Sequence, residues 1–97
     1  MKDLEWFKKN ISPGLKGYEL IYKSFEEKGD FGFLSRVEFI SNVLEGNVDF
    51  WSSGWLDVFV WSNEVRDVVL NVMLEPQQET EKDDLFKTLE KMLTAVD

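Results

Sequence analysis

The fold is decided by two β-rich runs, WLDVFVW at residues 55–61 and VRDVVLNVML at residues 65–74. β-branched and aromatic residues dominate both runs, as is typical of strands. Residues 62–64 separate the runs and predict a hairpin with a three-residue loop, in which Asn63 or Glu64 lies near the left-handed conformation. We therefore expect an antiparallel β-hairpin in the second half of the chain.

The register of this hairpin predicts two faces of different character. With a three-residue loop Trp61 lies opposite Val65, and Val58 lies opposite Val68. One face is then aliphatic and is expected to pack against helices: Leu56, Val58, Val60, Val68, Leu70, Val72 and Leu74. The other face mixes aromatic, polar and acidic side chains: Trp55, Asp57, Phe59, Trp61, Asp67, Val69, Asn71 and Met73. Such a mixture makes a good binding surface, although a four-residue loop would mix the two faces and helices on both sides would bury the tryptophans.

Three helices are predicted before the hairpin. The first covers Asp3 to Ile11, on loosely periodic apolar residues. The second begins at Ser12-Pro13, runs to about Lys28 and is closed by Gly29, because Leu15, Tyr18, Tyr22 and Phe25 recur every three or four residues. The third begins at Ser35, where Ser35 and Glu38 form a capping-box pattern, and it ends before a left-handed Gly46.

The remaining segments complete an α+β fold. Residues 48–51 are a candidate third strand. After Pro76 and a polar loop, a C-terminal amphipathic helix is indicated by its apolar positions: Leu85, Phe86, Leu89, Met92, Leu93 and Val96. We expect a small single domain over residues 1–97, with N-terminal helices, an antiparallel β-hairpin or three-stranded sheet, and the C-terminal helix on the aliphatic sheet face.

Composition favours a binding protein over an enzyme. The chain has 97 residues and a net charge of −8, and it contains neither histidine nor cysteine. Imidazole acid-base chemistry, Ser-His or Cys-His nucleophiles and the usual zinc sites are therefore excluded. The carboxylates Asp49, Asp57, Glu64 and Asp67 match no specific pattern for glycoside hydrolysis or cation binding. We expect no catalytic activity, no cofactor and no metal.

The acidic charge is concentrated in the middle of the chain. Residues 31–80 contain two basic residues, Arg36 and Arg66, against eight acidic ones. An acidic field attracts basic partners and repels nucleic acid and anionic membranes. The alternative is that the excess charge serves only solubility. Carboxylates can pair with a partner's lysine or arginine, and aromatic side chains provide buried contact area. The predicted partner-binding residues are Asp49, Trp51, Trp55, Asp57, Phe59, Trp61, Glu64, Asp67 and Asn71.

Three features of the sequence predict a cytoplasmic protein. No segment approaches the run of roughly 18 apolar residues that a membrane span needs, and residues 2–6 are charged where a signal peptide needs an apolar run. A small secreted domain would often need disulfides, and this chain has no cysteine. We expect a soluble monomer or weak dimer.

Four stretches of this small, acidic, cysteine-free chain carry a resemblance to a known family: Gly32 to Ile40, Val48 to Trp51, Gly54-Trp55, and Leu70 to Pro76. In its form and in these stretches the chain resembles the immunity proteins of bacterial contact-dependent growth inhibition and related polymorphic toxin systems. The resemblance covers most of the chain but includes no diagnostic motif, and no toxin-binding residue can be transferred by position. The resemblance implies a cytoplasmic protein that binds the C-terminal toxin domain of its own system, often a basic nuclease, and blocks its active site or substrate access.

Two alternatives stay open. One is an acidic protein-protein adaptor with no toxin connection. The other is a nucleic-acid mimic that inhibits a DNA-binding protein, which should space its carboxylates like phosphates and carry few central aromatics. The aromatic residues between positions 50 and 61 disfavour pure mimicry.

Overall fold

The computed structural model describes residues 2–95, and within them the predicted α+β class is confirmed. Val96, the last predicted apolar position of the C-terminal helix, lies outside the described residues. The elements in chain order are α1 (Leu4–Asn10), a short 3₁₀ helix (Ser12–Gly14), β1 (Glu19–Ser24), β2 (Leu34–Ile40), β3 (Leu44–Trp51), β4 (Leu56–Ser62), β5 (Asp67–Leu74) and α2 (Glu79–Thr94).

The five strands form one antiparallel sheet in the order β1-β2-β3-β4-β5, so each strand pairs with the next along the chain. The sequence predicted two or three strands, and the sheet has five. The candidate third strand at residues 48–51 is the second half of β3. Short connections of this kind need no crossover, which is why consecutive strands lie side by side.

The first and last predicted helices are present. Asp3 caps α1, its carboxylate accepting a hydrogen bond from the Trp6 amide at 2.9 Å. In α2 the buried apolar residues recur at helical spacing and turn one side toward the sheet: Leu85, Phe86, Leu89 and Leu93. Met92 is partly buried at the edge of the same core. The C-terminal helix therefore packs on the sheet as predicted.

The predicted second helix is wrong. Only its first residues, Ser12–Gly14, are helical, as a single 3₁₀ turn, and Glu19–Ser24 forms β1. The apolar spacing from Leu15 to Phe25 suggested a helix, but Leu15 lies before the strand and Leu20 and Tyr22 share one strand face. Gly17, with φ of 91°, changes the chain direction between the 3₁₀ turn and β1.

The predicted third helix is also wrong, because residues 35–46 form β2, a turn and the start of β3. Ser35 lies opposite Ser24 of β1 and is not a helix cap. Glu38 forms an ion pair with Lys23, which is also on β1. The turn is organised by Ser41, whose hydroxyl accepts hydrogen bonds from the amides of Val43 and Leu44.

One hydrophobic core lies between the two helices and one face of the sheet, here called the inner face. Phe50 of β3 stacks on Phe86 of α2, with ring centroids 6.0 Å apart and planes 10° apart. Phe7 of α1 contacts both rings edge-on or tilted. The strand residues of this core alternate along the sheet: Val37, Phe39, Val48, Phe50, Leu56, Val58, Val60 and Leu74. Both helices therefore cover the same face.

The register between β4 and β5 differs from the predicted one. Val58 lies opposite Val72 and not Val68, a shift of four residues. Residues 63–66 form a four-residue loop, and the left-handed residue is Arg66, with φ of 56°, instead of Asn63 or Glu64. The even shift keeps the side chains of Leu70 to Leu74 on their predicted faces, because strand residues alternate with a period of two.

A β-bulge between Val60 and Trp61 makes this even shift possible. Next to the loop Trp61 lies opposite Val68, whereas Val60 lies opposite Leu70, so Val69 is the extra residue. The four-residue loop alone would have mixed the faces, and the bulge restores the alternation beyond it. Val68, predicted for the aliphatic face, instead lies opposite Trp61 and is 41% exposed.

Lys82 joins the start of α2 to the β3–β4 connection. Its side chain is buried, and its ammonium donates hydrogen bonds to the carbonyl oxygens of Gly54 at 2.8 Å and Pro76 at 3.1 Å. The Glu79 carboxylate lies 3.5 Å away. A cleft of about 150 Å³ adjoins this lysine, but its ammonium is already occupied by protein acceptors. We therefore assign Lys82 a structural role.

Among the described residues, no helix is both long enough and apolar enough to cross a membrane.

Gly46 provides a test of the sheet packing. A Cβ at this position would lie 2.0 Å from the Phe59 carbonyl oxygen and 2.9 Å from the Phe39 ring, so the strands would have to move apart. Gly46→Ala is expected to lower the free energy of unfolding by about 1–3 kcal/mol, measured by urea denaturation. Gly14→Ala is the control, since a Cβ there meets nothing within 4 Å, and it should leave stability unchanged or slightly raised. Equal stability of the two variants would contradict this account.

Candidate functional site

The sheet face opposite the core, here called the outer face, is covered by no helix among residues 2–95. Register assigns it side chains from all five strands: Glu19, Ile21 and Lys23; Leu34, Arg36, Glu38 and Ile40; Glu45, Asn47, Asp49 and Trp51; Asp57, Phe59 and Trp61; Val68, Asn71 and Met73. Five of these residues are acidic and two are basic. The outer face is therefore an acidic surface with aromatic side chains within it.

The centre of the outer face holds a partly buried ion pair. Arg36 and Asp49 lie opposite each other on β2 and β3. The guanidinium donates two hydrogen bonds to the carboxylate, Nε to Oδ1 at 2.7 Å and Nη2 to Oδ2 at 2.9 Å. Asn47 donates a third to Oδ1 at 3.1 Å. This bidentate pairing compensates the burial of Asp49, which is only 4% exposed.

Arg36 is held by more than Asp49. The Phe25 ring lies 5.6 Å from the centre of the guanidinium, and Glu38 lies 4.0 Å from Nη1. Glu38 in turn accepts a hydrogen bond from the Lys23 ammonium at 3.0 Å. The two cations of the outer face are thus both engaged with carboxylates of the same face. Arg36 also attracts Asp57 electrostatically, although no ion pair joins the two within residues 2–95.

Asp57 is the next carboxylate in the same row, and it lies opposite Asp49 on β4. It is half-buried, and within residues 2–95 no hydrogen bond or ion pair joins its side chain to another group. Burial raises the pKa of the Asp57 carboxyl, and the charge of Asp49 raises it further, while Arg36 lowers it. A guanidinium or ammonium from outside would offset both of the causes that raise this pKa.

Aromatic rings close one end of the outer face. The loop between β1 and β2 places the Phe31 ring 5.5 Å from the Trp51 ring and 4.9 Å from the Trp55 ring. The Ser53 hydroxyl donates a hydrogen bond to the Phe31 carbonyl, which holds the loop against the β3–β4 connection. The Trp51 indole N–H is buried, with no acceptor among the described residues. Trp51 and Trp55 are thus half-buried by this loop.

The other end of the outer face is open. Trp61 is half-buried, and its indole N–H donates to Asn63 at 3.1 Å. Beside it, Phe59 borders a shallow groove of about 250 Å³ over β2 and β3. Ile40 and Met73 are exposed on the same face. These apolar side chains surround the acidic centre, as in an interface that combines anchors with charges.

The structure brings most of the predicted binding residues together. Six lie on the outer face: Asp49, Trp51, Asp57, Phe59, Trp61 and Asn71. Trp55 lies in the β3–β4 connection and borders the face through Phe31. Asp67 is opposite Ser62, on the loop side of the bulge, and therefore off this face. Glu64 lies in the β4–β5 loop near Tyr18 and the end of α2, and therefore also lies off the outer face.

The sequence analysis missed Arg36, Lys23 and Phe31. Their contributions were hidden because β1 and β2 were predicted as helices, so their cross-strand neighbours could not be identified. The usable signal was the alternation of charged and apolar residues in Arg36-Val37-Glu38-Phe39. Among the described residues, no cluster of three or more acidic side chains is arranged to hold a metal ion.

The neighbouring carboxylates Asp49 and Asp57 should respond in opposite ways to the same substitution. Asp49→Asn removes the charge that Arg36 binds, and it should lower the free energy of unfolding by about 1–3 kcal/mol. Asp57→Asn removes an unpaired, partly desolvated charge, and it should leave the protein at least as stable at pH 7. Urea denaturation of both variants beside the native chain measures this, and a large loss of stability in Asp57→Asn would show that Asp57 has a structural partner.

The raised pKa of Asp57 also predicts a pH dependence. Because the folded chain holds this proton more tightly than the unfolded chain, the Asp57 contribution to stability falls as pH rises from the unfolded value, near 4, through the folded pKa. Any stability advantage of Asp57→Asn should therefore be largest at neutral pH and vanish below about pH 4. Denaturation curves of the two proteins at several pH values test this. An advantage that grows toward acid pH would contradict it.

Comparisons with known proteins identify no family. No family model, no curated protein and no solved structure matches this chain.

Proposed function

We propose that this chain is an immunity protein that binds a basic toxin domain through its outer face and neutralises it in the cytoplasm. The half-buried Asp57 carries this proposal, because it has no cation partner in residues 2–95 although it lies at the centre of an open sheet face. The resemblance to immunity proteins of contact-dependent growth inhibition supports the role. The chain itself is proposed to perform no hydrolysis.

Acidic residues of the outer face that form no ion pair within residues 2–95 favour a basic partner. Asp49 and Glu38 are already paired with Arg36 and Lys23. Asp57 and the exposed Glu45 take part in no ion pair among the described residues. A lysine or arginine entering beside Asp57 would gain a partly desolvated carboxylate, where electrostatic interactions are stronger than in bulk water. The total charge of −8 would speed the encounter at low salt.

The aromatic side chains would retain the bound partner. Phe59 and Met73 lie next to Asp57, and Trp61 lies further along β4, opposite Glu45. Each of the three leaves part of its surface accessible. Burial of such side chains provides most of the binding energy in typical interfaces, whereas rim charges mainly accelerate association. A nuclease must present lysine and arginine to nucleic acid, so the same surface of a nuclease would fit this face. Coverage of that surface would exclude the substrate.

The outer face favours toxin binding over nucleic-acid mimicry. A mimic needs free carboxylates spaced like phosphates, and here two of the central carboxylates are neutralised within the face. An adaptor that binds some other basic protein would use the same residues. Co-expression with the proposed toxin domain distinguishes the two roles. Native protein should restore growth, and expression without the toxin should be harmless.

The binding mode can be tested with paired substitutions. Asp57→Asn should slow association with the toxin domain and reduce its salt dependence, because it removes a half-buried acidic charge at the contact centre. Asp84→Asn is the matched control, since Asp84 is an exposed carboxylate on α2, which packs on the opposite face. Surface plasmon resonance at two salt concentrations measures both. Equal effects of the two substitutions would assign the charge to general steering and remove Asp57 from the site.

Trp61→Ala should act mainly on dissociation. At a true anchor the loss is about 2 kcal/mol or more, which corresponds to at least a tenfold faster dissociation. The unfolding midpoint of the variant must be measured in parallel, because truncation of a half-buried indole also weakens the fold. A folded Trp61→Ala protein with native dissociation kinetics would exclude Trp61 from the interface.

A further inference from the structure

The sheet has two edge strands, β1 and β5, and neither pairs with a further strand within residues 2–95. The outward N–H and C=O groups of an edge strand can pair with any extended chain. Proteins commonly protect such edges with lysine, proline, short strands or covering elements. The two edges of this sheet differ in that protection.

β1 is the protected edge. It has six residues, and its charged residues Glu19 and Lys23 lie on the outer face. Tyr22 is held from the other side, because its hydroxyl hydrogen-bonds to Ser12 at 2.8 Å and the Lys8 ammonium lies 4.7 Å from its ring. The N-terminal helical segments therefore lie against this strand.

β5 carries much less protection. It has eight residues, and positions 68–74 contain no charged residue and no proline. Val68, Val69 and Met73 are 40–45% exposed. The bulge at Val69 disturbs one end of the strand, but Leu70 to Leu74 pair regularly with β4. Five consecutive residues thus present a regular, uncharged edge.

We propose that the edge of β5 at Leu70–Leu74 accepts an extended segment of a basic protein as a sixth strand. The proposal rests on the proposed function for the charge of the partner, but it uses the backbone edge and not the outer face itself. Main-chain hydrogen bonds would provide affinity, and side chains on alternate positions would provide specificity.

A row of residues that lie opposite one another on neighbouring strands connects this edge to Asp57. Asp49, Asp57 and Met73 lie opposite one another on β3, β4 and β5, so an added strand would place a residue of its own next to Met73. That residue would lie about 10 Å from Asp57, two strand spacings away. An extended lysine or arginine can reach over Met73 across that distance. One segment could therefore add a strand and neutralise Asp57.

Charge identifies the occupant as a basic segment and not a second copy of this chain. Two copies would each bring a net charge of −8. The residues that flank β5 are Arg66 and Asp67 at its start and Glu75 after its end, which leaves a local excess of negative charge. A basic segment gains from both the local and the total charge, whereas self-association opposes the total charge.

A defined peptide tests the edge. The probe has the length of β5, with lysine at each end and alternating valine and threonine between, and it is titrated into the full chain while backbone amide chemical shifts are recorded. Shifts should concentrate on residues 68–74. The same peptide with N-methylated valine and threonine amides keeps its charge but loses the main-chain N–H donors of those residues, and it should bind at least tenfold more weakly.

Two lysine substitutions, one at each edge of the sheet, form a matched test and control. Asn71→Lys places a like charge beside the incoming strand and should weaken peptide binding about two- to fivefold. Ser24→Lys makes the same charge change on β1, at the other edge, and should leave the affinity unchanged. Both positions are exposed, so both variants are expected to fold, and unchanged dispersion of amide shifts confirms it.

Four results would overturn the proposal. Equal binding of the two peptides, or shifts centred on Asp57 with none along β5, would show charge attraction to the outer face alone and would leave the proposed function intact. Absence of any peptide-dependent shift would refute strand addition. Shifts of β5 amides that depend on protein concentration, without peptide, would assign the edge to a second copy. If the peptide binds β5 but Asp57→Asn leaves the kinetics of toxin-domain binding unchanged, strand addition is supported and the proposed toxin interface is refuted.

Discussion

The contact between Phe50, Phe86 and Phe7 is the constraint on which the rest of the structure depends. These three rings join the sheet, the C-terminal helix and the N-terminal helix on one side. A helix needs an apolar partner for its buried stripe, and here both helices find it on the same sheet face. Within residues 2–95 no helix covers the opposite face, and only the β1–β2 loop packs on one end of it. Its side chains could therefore differ from those of a core without disturbing the fold.

The outer face shows how two adjacent carboxylates can have different consequences. Asp49 is nearly inaccessible, but three hydrogen bonds from Arg36 and Asn47 replace its lost water. Asp57 lies opposite it with no such replacement among the described residues. A partly desolvated charge beside a like charge costs stability, and folding does not require it. Residues that disfavour the fold in this way are often the ones that serve binding.

The sequence analysis succeeded where the local pattern was unambiguous. The β-branched residues of β4 and β5 and the helical spacing from Leu85 to Leu93 each permit one interpretation. It failed between residues 15 and 46, where apolar residues match both helical and strand spacing. Ser35 and Glu38 match a capping box, and Gly46 matches a helix C-cap, yet all three lie in strands. Local propensity could not separate these possibilities, because the energy that decided them comes from pairing with distant strands.

The sequence by itself determined the composition of the site: an acidic middle segment with Asp57, Phe59 and Trp61 alternating on one strand face, and no histidine or cysteine chemistry. Alternation along a strand is a local property, so it could be inferred without the fold. Only the tertiary structure decided which groups meet across strands. It placed Arg36 against Asp49 and left Asp57 unpaired within residues 2–95, and it used a bulge at Val69 to keep the faces separate after a four-residue loop. Cross-strand register depends on contacts between residues far apart in the chain, and no local pattern specifies them.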